Sequence, residues 1–187
     1  VVVCAPDPTA LFDALAPALL EAGIACALKG PVPFGGTLLG RALKAVRSLQ
    51  AGEGPWRHAA TDFAYSALSG IAPFEAQRLN AQWRGDRLFE AAQAAEQLRS
   101  LSRTFALFEA LLRHADVAAL DALAQAIAEG GLVPAQARAR EQTAIQALRR
   151  LLESAEKLGA SPELGVMAEA LWVSVSVEAP AAQKAGK

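Results

Sequence analysis

The sequence predicts a mostly α-helical chain with a small parallel β-sheet, an α/β arrangement that holds a large helical insertion. Strand-like runs of β-branched or alternating residues occur only near the two ends, whereas residues 51–170 follow the spacing of amphipathic helices. Alanine, the best helix former, is unusually abundant. Because a sheet of two strands is marginal, we expect the closing strand to return to two opening strands.

The opening residues predict a strand, a helix and a second strand. Val1–Ala5 is a short β-branched run, and Asp7 after it can cap a helix that begins at the following proline. This helix contains Pro17, which should kink it, and ends at Gly23. Residues 24–28 then form the second strand, parallel to the first through a right-handed crossover. A turn-rich connector follows at residues 29–36, and a helix covers residues 37–49.

The helical block divides at glycine, proline and capping residues. We expect helices at 56–65, from Pro73, from an Asp86 cap without a break through Leu112, from Asp116 to Ile127, from Pro134 through Leu158, and at Ser161-Pro162-Glu163. Strict alternation from Leu171 to Val177 predicts the returning strand. The predicted segments are therefore 1–50, an α/β part; 51–170, a helical subdomain; 171–178, the returning strand; and 179–187, a flexible tail.

Composition excludes several classes of protein. The chain has 187 residues and is 53% hydrophobic, too apolar for a disordered chain, and its two cysteines are too few for a disulfide scaffold. We expect Cys4 and Cys26 to be buried small hydrophobic residues. No apolar run is long enough to span a membrane, and no signal peptide pattern is visible, so we expect a cytoplasmic location. The balance of 18 basic and 19 acidic residues is not that of a nucleic-acid coat protein.

The sequence predicts no active site. It lacks a glycine-rich phosphate loop that ends in lysine and a hydroxyl residue, and it lacks a dinucleotide-binding fingerprint. His58 and His114 have no histidine partner at helical spacing for metal binding, and we expect both at the surface or at helix ends. A nuclease carboxylate motif is also missing, because Glu156-Lys157 lacks the spacer residue and belongs to a helix. We expect no catalytic residue, no metal and no cofactor in this chain.

Arginines are the remaining candidates for function. Arg138 and Arg149 are eleven residues apart on one helix face, and Arg150 is adjacent; Arg99 and Arg103 follow one another on the preceding long helix. Arginines at such spacing can contact successive phosphates, so these five are our candidate nucleic-acid contacts. The alternative is a solvated helix face on which the arginines pair with acidic residues, namely Glu96, Glu109, Glu141 and Glu153.

The order of elements and several short sequences carry a family resemblance. They are Val1-Val2-Val3-Cys4-Ala5, Gly23-Ile24, Lys29-Gly30, Pro33-Phe34, Val46-Arg47-Ser48-Leu49, Asp62-Phe63-Ala64-Tyr65-Ser66, Leu68-Ser69-Gly70, Ala76-Gln77-Arg78-Leu79 and Trp83-Arg84. The start of the chain resembles the second RecA-like motor domain of superfamily 1 DNA helicases of the UvrD/RecB kind, and especially the AddB-like subunit of bacterial ATP-dependent helicase–nucleases. The resemblance covers residues 1–90 and, more weakly, residues 171–178.

The resemblance implies a fragment of a DNA double-strand-break repair enzyme: a partial RecA-like domain with its helical insertion. The chain begins at Val1 rather than methionine, and we expect it to be part of a longer protein. ATP, magnesium and the hydrolase chemistry would belong to the parent protein, which would bind DNA and a partner subunit. Helicases of the group carry a basic residue after the first strand, where this chain has Ala5-Pro6-Asp7-Pro8, so we expect little ATPase contribution. The alternative is a stand-alone helical interaction module without nucleic-acid function.

Overall fold

A computed structural model describes residues 8–24, 27–52, 55–86, 88–129, 132–133, 135–159, 164 and 172–178. Within these residues the chain is mostly helical, as predicted. The elements are α1 (Pro8–Glu21), β1 (Ala27–Pro33), a 3-10 turn (Phe34–Gly36), α2 (Leu38–Ala51), α3 (Trp56–Tyr65), a second 3-10 turn (Ala67–Ser69), α4 (Pro73–Gly85), α5 (Ala91–Leu101), α6 (Phe105–His114), α7 (Val117–Ala128), α8 (Ala135–Lys157) and β2 (Trp172–Glu178). None of the helices in this part of the chain is long and apolar enough to cross a membrane.

The two described strands pair with each other, but their direction corrects the prediction of a parallel sheet. β1 and β2 are antiparallel, with Ala27 opposite Glu178 and Pro33 opposite Trp172. Strand β2 therefore returns to β1, the second of the two predicted opening strands, as expected, but it runs in the opposite direction. The predicted strand at Val1–Ala5 lies outside the described residues, so its parallel pairing stays a prediction.

β1 also begins later than predicted and extends through the sequence Gly30-Pro31-Val32-Pro33, which we expected to be a turn. Proline lacks the N–H that a ladder requires, and it is confined to strand edges. Residues 31 and 33 direct their backbone nitrogens to the same side of the strand, because this direction alternates along the chain. Among the described residues, β1 pairs only with β2, so the other side of β1 has no ladder bonds there and allows both prolines.

Helix α2 lies at the centre of the hydrophobic core. Its apolar face, including Leu39, Leu43 and Val46, is buried, and the helix contacts α3, α5, α6 and α8. The aromatic part of the core forms around Phe63 of α3, whose ring meets those of Phe105 and Phe108 of α6 edge to face, with centroids 5.1 and 5.8 Å apart. One core thus joins α2 to the helical block.

The long helix predicted from Asp86 through Leu112 is wrong, because the structure has two helices, α5 and α6, in its place. Two buried hydroxyls interrupt it. Ser102 Oγ donates to the Ser69 carbonyl oxygen at 2.7 Å and accepts the Phe105 N–H at 3.1 Å, which caps α6. The hydroxyl of Thr104 donates to the carbonyl oxygen of Leu68. Both helices bury apolar faces in the same core. The helical spacing of apolar residues therefore continues across the break, and the break could not be detected from this spacing.

The prediction that Asp86 caps this helix is also wrong. Glu90 is the N-cap of α5 and forms a reciprocal capping box with Gln93. Asp86 instead accepts the N–H of Leu88 at 2.9 Å in the loop before the helix. This arrangement shortens the helix by a full turn at its start.

The other described helices agree with the sequence. α7 begins at the predicted cap Asp116, which accepts two backbone N–H groups, and α4 begins at Pro73. α1 spans Pro17 and ends before Gly23, whose φ of 72° is the left-handed conformation expected there. The predictions for Cys4, Cys26, the helix at 161–163 and the tail 179–187 fall outside the described residues. The four-segment division of the chain stays a prediction.

Candidate nucleic-acid interface

Arg99, a predicted DNA contact, lies in an ion-pair cluster between α5 and α6. Its guanidinium donates to both carboxylate oxygens of Glu109, at 2.7 and 2.9 Å, and also pairs with Glu96. Arg113 reaches the same Glu109 carboxylate at 3.4 Å. The hydrogen bonds from Arg99 lower the pKa of Glu109 despite its burial, and those bonds raise the pKa of Arg99. Arg99 therefore pairs with Glu96 and Glu109 as the alternative of a solvated helix face expects, but Glu109 is buried rather than solvated.

The predicted contacts on α8 have different surroundings. Arg149 forms an ion pair with Asp121 and so joins α8 to α7. Arg138 is half-buried, and its Nε is buried without a hydrogen-bond partner among the described residues. Arg150 is exposed and lines a groove of about 780 Å³ between α7 and α8, with Gln142 as one of its neighbours there. These three arginines share one helix, as predicted.

Arg103 is exposed in the turn between α5 and α6. It lies near Arg99 in the chain, but the break at Ser102–Thr104 removes the helical register that was to align the two. The five candidates therefore fall into one group on α8 and another at the α5–α6 turn, and their contact with DNA stays a prediction. The two histidines are exposed, and His114 ends α6, as expected.

A groove between α2 and α3 was missed by the sequence reasoning. It has a volume of about 680 Å³ and includes Arg41 and Lys44 of α2 opposite His58, Asp62 and Tyr65 of α3. The useful sequence signal was present in α2, whose 14 residues include Arg41, Lys44 and Arg47 and no acidic residue. That signal was overlooked because the helix was interpreted only through its apolar face.

The start of α2 is held by hydrogen bonds from both near and far in the chain. Thr37 Oγ1 accepts the Gly40 N–H at 2.9 Å and donates to the Phe34 carbonyl oxygen at 2.7 Å. The carboxylate of Glu141, on α8, accepts the N–H groups of Leu38 at 3.0 Å and of Leu39 at 2.8 Å. The positive end of the helix dipole also stabilises an anion at this position.

Arg140 completes this remote cap. Its Nε lies 3.0 Å from Glu141 Oε1, and both side chains are fully buried. A charge buried without a partner would cost several kcal/mol, so the two residues depend on one another. The alternative of a solvated helix face included Glu141, and for this residue it is wrong, because positions 140 and 141 are buried on α8 together with Ala137 and Ala144.

Arg57 fixes the other wall of the groove. Its Nε donates to the carbonyl oxygen of Trp83 at 2.7 Å, and its guanidinium lies over the ring of Trp56, 4.5 Å from the centroid. A further bond reaches the carbonyl oxygen of Phe89 at 3.4 Å. These contacts attach α3 to the end of α4 and to the loop after it. Arg57 is thus a structural cation, and the neighbouring His58 lines the groove.

Within the described ranges, no three histidine, cysteine, aspartate or glutamate side chains come together as metal ligands would. The groove between α2 and α3 instead offers cations, hydroxyls and one half-exposed aromatic ring. Comparison with known proteins found no matching protein family, no matching curated protein and no matching solved structure.

Proposed function

We propose that the chain is part of an AddB-like helicase–exonuclease subunit for DNA double-strand-break repair. It comprises a helical subdomain and the motor strands on either side of it, and it acts as a scaffold or as part of a DNA channel without an active site of its own. The main supporting observation is the pairing of β1 with β2, which joins the two ends of the helical block. This is the connectivity expected of an insertion into an α/β domain.

The proposal includes a partial RecA-like sheet. Val1–Ala5 would pair in parallel with the first residues of β1, before its two prolines, and β2 on the opposite side of β1 would make the sheet mixed, as is common among larger sheets. ATP and magnesium would bind to the parent protein, outside this chain. The parent would contact DNA and a second, helicase–nuclease subunit in the cytoplasm.

The test measures DNA binding and catalysis by the purified chain. Fluorescence anisotropy with labelled single-stranded and duplex DNA should show binding at about 50 mM salt that weakens steeply toward about 200 mM, since phosphate contacts release counterions. ATP hydrolysis and magnesium-dependent cleavage should both be absent. Lack of any DNA binding at the lower salt, or nuclease activity of the chain itself, would contradict the proposal.

A second candidate is a helical protein-interaction module without a nucleic-acid role. The specific observation in its favour is that Arg99 and Arg149, two of the five predicted DNA contacts, pair with Glu109 and Asp121. The net charge of −1 agrees with it. Salt-dependent DNA binding in the same titration would count against this candidate.

A further inference from the structure

We propose that the groove between α2 and α3 binds single-stranded DNA, with phosphates at Arg41 and Lys44 and an unpaired base on Tyr65. The proposal rests on the proposed function for the class of partner. It assigns the contact to a surface that is distinct from the five arginines predicted from the sequence. DNA binding by the chain and DNA binding at this groove can therefore be tested separately.

Helix α2 supplies basic side chains to the groove. The groove receives Arg41 and Lys44 from α2, and Arg47 is exposed on the same helix. Residues three apart in a helix are about 4.5 Å apart along its axis, so these cations form a row. α2 itself has these three cations and no acidic residue, and Asp62 of α3 lines the same groove. Such a row is suited to a phosphate backbone.

Helix α3 supplies an exposed aromatic ring to the groove. Tyr65 ends α3 beside the groove, and half of its surface is exposed, which leaves the ring available for stacking. A base can stack on a protein ring only when it is not enclosed in a duplex, so this contact selects single strands. Ser48 of α2 and Ser66 of the turn after α3 add hydroxyl groups to the lining. These hydroxyls can donate hydrogen bonds to phosphate or sugar oxygens.

The size and shape of the groove agree with this occupant. Its volume of about 680 Å³ lies in the range of about 300–1,000 Å³ that is typical of sites for small ligands. Asp62 is exposed on the same wall and opposes phosphate binding, which gives the proposal a contact of opposite sign to test.

The experiment titrates the full chain against a labelled single strand of about 30 nucleotides, with groove variants and matched controls. Lys44→Gln should reduce the slope of log affinity against log salt by about 0.7, the value for one phosphate contact. Tyr65→Ala should weaken binding roughly 5- to 150-fold, whereas Tyr65→Phe keeps the ring and should bind as the wild type. Asp62→Asn should bind more tightly.

The matched controls are Lys157→Gln and Arg84→Gln, which remove exposed cations outside the groove and outside the five predicted contacts. Both should keep the wild-type affinity and salt slope. Circular dichroism and thermal melting verify the fold of every variant, and Lys44→Gln changes an exposed side chain, so it tests the groove even if Tyr65→Ala unfolds.

Each result distinguishes the two proposals. If Arg103→Gln or Arg150→Gln, at predicted contacts outside the groove, loses affinity while the Lys44 and Tyr65 variants do not, the groove is refuted and the DNA-binding function stands. A preference for duplex over single strands, in competition, would refute the proposed occupant. If the wild-type chain binds no DNA, both proposals fail.

Discussion

Replacing Glu141 should destabilise the fold far more than replacing an exposed carboxylate on the same helix. The carboxylate accepts two N–H groups in the first turn of α2 and pairs with buried Arg140. In Glu141→Ala the two N–H groups and the Arg140 guanidinium lose the carboxylate that they share, at a buried site. Glu141→Gln keeps a carbonyl oxygen for the helix but removes the negative charge beside the guanidinium.

The size of the effect follows from these contacts. Breaking a buried ion pair by removing one partner costs about 3–5 kcal/mol, because the remaining charge stays buried. The two N–H groups that lose their acceptor add to this cost. We therefore expect Glu141→Ala to lower the free energy of unfolding by about 3–5 kcal/mol or more. A hydrogen bond to a charged group contributes about 1.5–3 kcal/mol, and we expect a loss of this size for Glu141→Gln.

Urea denaturation followed by tryptophan fluorescence measures these differences, since Trp83 is fully buried in the core and unfolding exposes it. The matched control is Glu153→Gln, an exposed carboxylate on the same helix, which should change stability by no more than about 0.5 kcal/mol. If Glu141→Gln and Glu153→Gln unfold at the same urea concentration with equal slopes, the remote cap contributes nothing and the reasoning is refuted.

Three further predictions concern other parts of the fold and use the same denaturation assay. Gly40→Ala should destabilise by about 1–3 kcal/mol, because the new Cβ would lie 1.9 Å from a backbone carbonyl oxygen, whereas Gly85→Ala has open space and should be neutral or stabilising; equal effects would contradict this. Ser102→Ala should cost about 1–3 kcal/mol by removing buried hydrogen bonds, and Ser100→Ala, at an exposed site, should not. The pKa of Glu109 is lowered in the folded state, so its ion pair stabilises the fold at neutral pH, and this stabilisation is lost as the pH falls below about 4.5 through the folded pKa. Glu109→Gln should therefore reduce the loss of unfolding free energy at acidic pH. An unchanged dependence on pH would contradict the contribution of the ion pair.

Helix starts could be predicted from the sequence because local chemistry determines them. Asp116 accepts the N–H groups of its own helix, and Pro73 occupies the first turn of α4, where its missing N–H is not required. Neither position depends on the rest of the chain. The same holds for the left-handed glycines that follow α1 and α2, Gly23 and Gly52.

Features that depend on distant partners could not be predicted. The break between α5 and α6 arises from hydroxyls that bond to carbonyl oxygens of Leu68 and Ser69, more than 30 residues earlier. The remote cap joins Glu141 to residues 38 and 39, over 100 positions away. No local pattern distinguishes a serine that caps a buried turn from an exposed one, or a buried glutamate from its exposed neighbours on the same helix.

Helix α2 belongs both to the hydrophobic core and to the groove proposed to bind DNA. The sequence break at Gly52 separates α2 from the helical block in the chain, yet the same hydrophobic core contains Phe34, α2 and residues as distant as Leu164. The remote cap from α8 holds the start of this helix, and the opposite wall of the groove is α3, which α2 contacts directly. Loss of the cap should therefore disturb the groove together with the fold, while Lys44→Gln should alter DNA binding alone. A Lys44→Gln variant with normal stability and a reduced salt slope would separate recognition from folding on one helix.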